Sequence, residues 1–312
     1  MVSIQIQTLQ DKLGPKALGI TVRGFLDYLA VEAGLSDNTI LAYGRDLTGF
    51  VKYCNLLQVN KIEQITPKVI YSYLHRLGKE KKSESSISRA LVAVKMLLRF
   101  GILTGQLQED FTTMLEGPKL WQKLPVVCRK EQVIELLNAP TAEDAYYLRD
   151  KAILEMLYAT GSRATEVADL KIGNLNFSIG YVLVFGKGKK ERIVPLGKTA
   201  IKVTREYLRD LRPGLAKPFS GESLFLSRTG HALDRIDIWR IVKKYARRAG
   251  MPRNLTVHTL RHCFASHLLA GGADLRSVQE MLGHVDIATT QIYTHVDQER
   301  LRSIHKKFHP RP

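Results

Sequence analysis

The sequence predicts a mainly α-helical chain of two domains, the second carrying a small antiparallel β-sheet. Three observations lead there. Apolar residues recur at three- and four-residue steps through the first hundred positions. That spacing lapses in "GILTGQLQEDFTTMLEGPKLWQKLP", residues 101–125, where glycine, threonine and proline interrupt it. The helical pattern then returns and is broken once, by the alternating, β-branched "YVLVFGKGKKERIVPLG". The expected boundaries are 17–103 for the first domain, 104–123 for the linker and 124–312 for the second domain.

In the first domain "TVRGFLDYLAVEA" reads as a helix ended by Gly34, and "DNTILAYGRDLTGFVKYC" as one that starts after the cap-type residues Ser36 and Asp37. "TPKVIYSYLHRL" has Thr66 as its cap, Pro67 in its first turn and Gly78 at its end. The lysine- and serine-rich "KEKKSESS" leads into "ISRALVAVKMLLRF", giving four helices and no catalytic constellation among them. The second domain offers "RKEQVIELLN", "DAYYLRDKAILEMLYATG", "TAIKVTREYLRDL", "DRIDIWRIVKKYARRAG" and "VHTLRHCFASH" as helices, with the alternating stretch as a hairpin around a glycine-lysine turn.

At 312 residues, 45% hydrophobic and 25% charged, the chain can bury two cores. A formal charge of +17 and a pI near 9.8 favour a polyanionic partner. The excess is uneven: 15 basic against 11 acidic side chains in residues 1–120, but 32 against 19 in residues 121–312. Nucleic acid fits this better than a membrane surface, because no uncharged apolar run approaches the ~20 residues of a spanning helix. The opening "MVSIQIQTLQDKLG" has neither a basic start nor an apolar signal core, so the expected location is the cytoplasm. Cys54, Cys128 and Cys263 are odd in number and far apart, which indicates buried thiols rather than a disulfide framework or zinc knuckle.

"VHTLRHCFASH" poses the sharpest chemical question. His258 and His262 stand at i and i+4, a spacing that can bind metal, but Thr259 replaces the glutamate of the H-E-x-x-H pattern and Arg261 adds a permanent positive charge. With Thr256 as cap and Leu260, Phe264 and Leu268 facing the core, His258 and Arg261 share another face. Such a pair at a helix N-terminus suits an oxyanion better than a cation, since every group there donates. Taken alone, an ordinary surface pair is the default.

Other segments add candidates. "TGSRATEVADL" sets Arg163 and Glu166 one turn apart, so the carboxylate can hold the guanidinium. "GKGKKER" puts Lys187 at a hairpin tip between glycines. "LGHVD" offers His284 at a helix end, and "TTQIYTHVD" offers Tyr293. Separately these would be a helix ion pair, a solvated turn and a core tyrosine.

In order, they resemble the tyrosine recombinase (phage-integrase-type) family over nearly the whole chain. The family's arginine, hairpin lysine, H-x-x-R, second histidine and tyrosine match Arg163, Lys187, His258, Arg261, His284 and Tyr293. Where the family usually has "GLR" this chain has "GSR", so Ser162 stands where a leucine would pack. "HLLAGGADLRSVQEMLGHVDIATTQIYTHV" and the tail "FHPRP" look like the Xer branch, more its D paralogue than its C.

The resemblance implies an N-terminal helical core-binding domain and a C-terminal tyrosine recombinase catalytic domain. It implies site-specific cleavage and rejoining of DNA through Tyr293 as nucleophile, a 3′-phosphotyrosine intermediate and a free 5′-hydroxyl. Arg163, Lys187, His258, Arg261 and His284 would be the other catalytic residues, with Glu166 in support and neither metal nor cofactor. The partners implied are a partly symmetric DNA site, a paralogous Xer recombinase in a heterotetramer on two duplexes, and a DNA translocase, in a chromosome-dimer-resolving role at cell division. "DQERLRSIHKKFHP" would form a helix that docks on a neighbouring subunit. An integrase of a mobile element is disfavoured because little chain precedes the first expected helix, leaving no room for an arm-binding domain. A type IB topoisomerase would need no partner subunits, and a non-catalytic DNA-binding module would have no use for Tyr293, Lys187 and both arginines together.

Overall fold

A computed structural model describes residues 2–32, 35–116, 127–186, 191–283 and 295–311. The chain forms two compact units, Met1–Lys123 and Leu124–Pro312, each with its own apolar core.

In the first unit, α1 (Val2–Asp11), α2 (Ala17–Val31), α3 (Asp37–Leu56), α4 (Pro67–Lys79) and α5 (Glu84–Leu103) surround a core that includes Leu18, Phe25, Leu47, Phe50, Ile70 and Leu97. Thr66 caps α4 by accepting the Val69 N–H, and Ser83 caps α5 by accepting that of Ser86. Among the described residues the four expected helices are present as α2–α5, and α1 precedes them, ahead of the expected domain start at residue 17. It lies against α3, where Gly44 lets it approach: a Cβ there would stand 3.2 Å from Leu9 Cδ1.

The second unit is arranged around α7 (Tyr147–Thr160). Ala152, Ile153, Leu154, Met156, Leu157 and Tyr158 are at most 1% exposed, so this helix is enclosed on all sides rather than amphipathic. Around it lie α6 (Lys130–Asn138), α8 (Ala164–Ala168), α9 (Lys198–Glu206), α11 (Arg235–Arg248) and α12 (Val257–Gly271), and α13 (Leu275–Leu282) packs in turn on α12. A π-helical turn, Tyr207–Leu211, joins α9 to the short α10 (Arg212–Leu215).

The sheet has order β1 (Leu175–Asn176), β2 (Tyr181–Phe185), β3 (Glu191–Pro195), all antiparallel. The expected hairpin is β2 and β3; β1 adds a short edge strand. Val182 pairs with Val194 and Val184 with Arg192, and all four side chains lie on the buried face.

The last helix, α14 (His295–Phe308), belongs to the core of its own unit through fully buried Leu301. His305 and His309 follow at four-residue steps, both buried, their rings stacked at 4.4 Å and 12°. His305 Nε2 is 3.1 Å from the Ala159 carbonyl, and His309 Nε2 is 3.3 Å from that of Tyr158. Within its own chain the helix thus closes over the C-terminal end of α7. All three cysteines are buried, free thiols.

Candidate active site

Helix α7 ends where Gly161 takes a left-handed conformation, φ 59°. A side chain there would collide with the core, since a Cβ would stand 2.5 Å from Phe264 Cδ1. The turn passes through Ser162 and delivers Arg163 to the N-cap of α8. Ser162 is buried, its hydroxyl 2.8 Å from that of Thr160. The position that a leucine would fill by packing is thus filled by polar contacts.

Glu166, one turn into α8 and 4% exposed, organises the site. Its Oε1 accepts from Arg163 Nη1 at 2.7 Å, and its Oε2 from the Arg163 backbone N–H at 2.8 Å. From the other side comes Arg192 on β3, whose Nη1 reaches Oε1 at 3.2 Å and Nη2 reaches Oε2 at 2.7 Å. Burial pushes the Glu166 carboxyl up, but the hydrogen bonds and charge of Arg192, with those of Arg163, outweigh it and hold the group at about 2. It is therefore a permanent anion at neutral pH.

Arg261 arrives from α12, which Thr256 caps by accepting the Thr259 N–H. Leu260, Phe264 and Leu268 face the core at 0% exposure, as the sequence pattern requires. Arg261 points elsewhere: Nη1 donates to the Gly161 carbonyl at 2.7 Å and Nη2 to the Leu282 carbonyl at 2.6 Å. These oxygens belong to the C-terminal ends of α7 and α13, which have no intrahelical donor and carry the negative pole of the helix dipole. Burial lowers the Arg261 guanidinium to about 10, helped by repulsion from Arg163 and Arg192, so it too stays charged at neutral pH. Two guanidiniums thus clamp one carboxylate and a third, Arg261, lies near enough to feel its charge, leaving a local excess of positive charge with spare N–H groups. Arg163, 42% exposed at its side chain, presents that excess outward. Such a site takes an anion with several oxygens.

Arg163, Glu166 and Arg261 are brought together. His258 is exposed in the first turn of α12 and has no hydrogen-bond partner among the described residues. Lys187, His284 and Tyr293 lie outside the described residues. His262, the other half of the possible metal pair, is partly buried, and no three His, Cys, Asp or Glu side chains among the described residues are grouped to hold a metal. Arg192 was not among the expected site residues. Its signal was present in "ERIVP", where strand alternation puts it in phase with Val194 and so on the inward face.

The phage integrase family model matches residues 127–300, and the phage integrase N-terminal SAM-like domain matches residues 22–105. A tyrosine recombinase XerD from Halalkalibacterium halodurans is 43% identical over 288 residues, covering 92% of this chain and 96% of the relative. Its counterpart from Listeria innocua is 44% identical over 289 residues, covering 92% and 97%. Among solved structures, a XerH site-specific recombinase bound to a palindromic difH substrate, in a post-cleavage complex, superposes with a TM-score of 0.69 at 26% identity, covering 85% of this chain and 78% of that one.

Proposed function

The chain belongs to the phage integrase family as a tyrosine recombinase of the XerD type, and we propose that Tyr293, Lys187, His258, His284, Arg163 and Arg261 are the residues with which it cuts and rejoins DNA. The observation that carries this assignment is the convergence of Arg163 and Arg261 around Glu166, because it supplies what a phosphodiester needs in its transition state.

Tyr293 Oη attacks the phosphorus, the bond from phosphorus to the 5′-oxygen breaks, and a 3′-phosphotyrosine and a 5′-hydroxyl result. A phenol of pKa about 10 costs roughly 4 kcal/mol to ionise at neutral pH, a cost that His258 and the nearby guanidiniums reduce. The departing alkoxide is the harder problem, since it is about as basic as hydroxide, whose parent acid has pKa about 15.7. Lys187 gives it a proton as it leaves. Charge gathering on the non-bridging oxygens is met by Arg163, Arg261 and His284, with single donors of this kind worth about 3 to 4 kcal/mol. The covalent intermediate keeps the bond energy for attack by a second 5′-hydroxyl, so strands exchange without ATP. No metal or cofactor enters any step.

The substrate is a partly symmetric duplex site, bound by two protomer pairs on two duplexes, one pair being a paralogous Xer recombinase. The role is chromosome-dimer resolution in the cytoplasm, under a DNA translocase. That the matched relatives carry the XerD name over at least 96% of their length supports this role over that of a mobile-element integrase.

A nicked suicide duplex carrying the site, recovered by footprinting genomic fragments, tests the chemistry. The expected result is an adduct that survives denaturant, persists in EDTA and is lost in Tyr293→Phe. An adduct formed by Tyr293→Phe excludes that nucleophile, and one abolished by EDTA excludes the metal-free route. DNA affinity is expected to fall steeply with salt, through counterion release; salt-insensitive binding would exclude the basic second unit as the DNA surface.

A further inference from the structure

Arg192 occupies a slot built for an apolar side chain. It stands opposite Val184 on the inward face of the hairpin, in step with Val194; the two valines are 1% and 0% exposed, and Arg192 itself 4%. A permanent charge is held there only if its N–H groups find acceptors. Besides its two bonds to Glu166, Nε donates to the Met281 carbonyl at 2.7 Å, and Nη2 lies 3.4 Å from Ser162 Oγ. Met281 and Leu282 are the last residues of α13, so Arg192 and Arg261 hold consecutive carbonyls of one helix end. The chain then turns at Gly283, φ 68°, directly over the Arg192 stem: a Cβ there would stand 3.0 Å from Arg192 Cδ.

One guanidinium therefore ties together the carboxylate that orients Arg163 and the helix end that orients Arg261. We propose that Arg192 is a positioning residue of the recombinase, setting the separation of Arg163 and Arg261 and the path of the chain at Gly283, immediately before His284. The inference rests on the recombinase reading above. Two arginines can clamp the oxygens of one phosphate only at the right spacing, and a 1 Å error in such a site costs on the order of 100-fold in rate. Both faces of the Glu166 carboxylate are occupied by cations, Arg163 from its own helix and Arg192 from β3, with Arg261 of α12 near enough to feel its charge. Loss of Arg192 leaves it with Arg163 as its one bonded cation.

The test compares full-length wild type, Arg192→Met and Arg192→Lys on the nicked duplex, measuring duplex affinity, the single-turnover rate of adduct formation and its pH profile. For Arg192→Met, affinity should change less than about threefold while the rate falls on the order of 100-fold. The acid limb of the profile should move to higher pH as Glu166 becomes easier to protonate. Arg192→Lys should fall between, because an ammonium can pair with Glu166 but cannot also span to the Met281 carbonyl. A folded Arg192→Met variant with wild-type rate overturns the proposal, and so does a lower melting temperature with rate and profile unmoved. If the Met variant does not fold, the Lys variant decides, and a wild-type rate there overturns it. Wild-type protein that forms no adduct would refute the recombinase chemistry itself; a normal wild-type adduct with unaffected Arg192 variants would refute only the positioning role.

Discussion

Replacing Glu166 by glutamine removes the anion at the centre of the site and changes little else in shape. Two routes from the structure give the cost. The carboxyl is held at about 2 against an ordinary 4.5, a difference on the order of 3 kcal/mol. Alternatively, opening a buried pair strands its partner, and at 4% exposure Arg192 would keep a charge with no counter-ion, a loss of about 3–5 kcal/mol. Glutamine retains one acceptor oxygen, which favours the lower end, about 3 kcal/mol. For a unit of this size that corresponds to a melting point lower by about 6–12 °C. The sign with pH follows from a folded-state value depressed below the unfolded one: the stabilisation is complete above pH 4.5 and lost as pH falls towards 2. Urea titrations of wild type and Glu166→Gln at several pH values should therefore show a gap that is widest at neutral pH, begins to narrow below about pH 4.5 and closes only towards pH 2. A gap under about 1 kcal/mol at pH 7, or one that does not change on acidification, would refute the account of Glu166 as a buried, doubly bound anion.

Two further outcomes follow from the core of the same unit. Burial lowers His305 to about 4 and His309, with repulsion from His305 adding to it, to about 3, while burial raises Glu155 to about 7 against the pull of Arg311. Between pH 6.5 and 4.5 the two histidines lose stabilisation on acidification and Glu155 gains it, for a net loss of up to about 1.4 kcal/mol per pH unit. His309→Phe, placing an apolar ring beside Tyr158 and Phe264, should flatten that slope in thermal melts, and an unchanged slope would discount these histidines. Gly161→Ala forces a left-handed alanine whose Cβ would meet Phe264 at 2.5 Å and Leu282 at 2.9 Å, at a cost of about 3 kcal/mol in urea unfolding. A loss below about 0.5 kcal/mol would mean that the core yields there at no cost.

Helices whose ends carry local chemistry were legible in the sequence, because a cap needs only its own neighbours. Thr66, Thr256 and Gly161 each mark an end where the structure has one. Where tertiary packing decides, local patterns were not enough. Val2, Ile4 and Ile6 alternate as in a strand, yet the segment is helical and lies against α3. In "DQERLRSIHKKFHP" the charged letters hide a buried stripe of Leu301, His305 and His309, which becomes visible only when α7 is in place beneath it. The partnership of Arg163 with Glu166 could be read from one turn of spacing, whereas the second clamp on that carboxylate could not. Arg192 is 26 positions from Glu166 and 89 from Met281, so strand alternation could place it on the inward face but could not name its partners.

Arg261 and one edge of Arg192 are fastened to main-chain oxygens of Gly161, Leu282 and Met281. A carbonyl is supplied by whatever amino acid sits at the position, so the grip on the arginines asks only that the helix end in the same place, while the Met281 and Leu282 side chains answer to the core in which they are buried. Evolution can therefore repaint the surface of this unit, altering which duplex it prefers, without disturbing the grip on the arginines. Glu166 has no such latitude, because it is its side-chain oxygens that two guanidiniums hold.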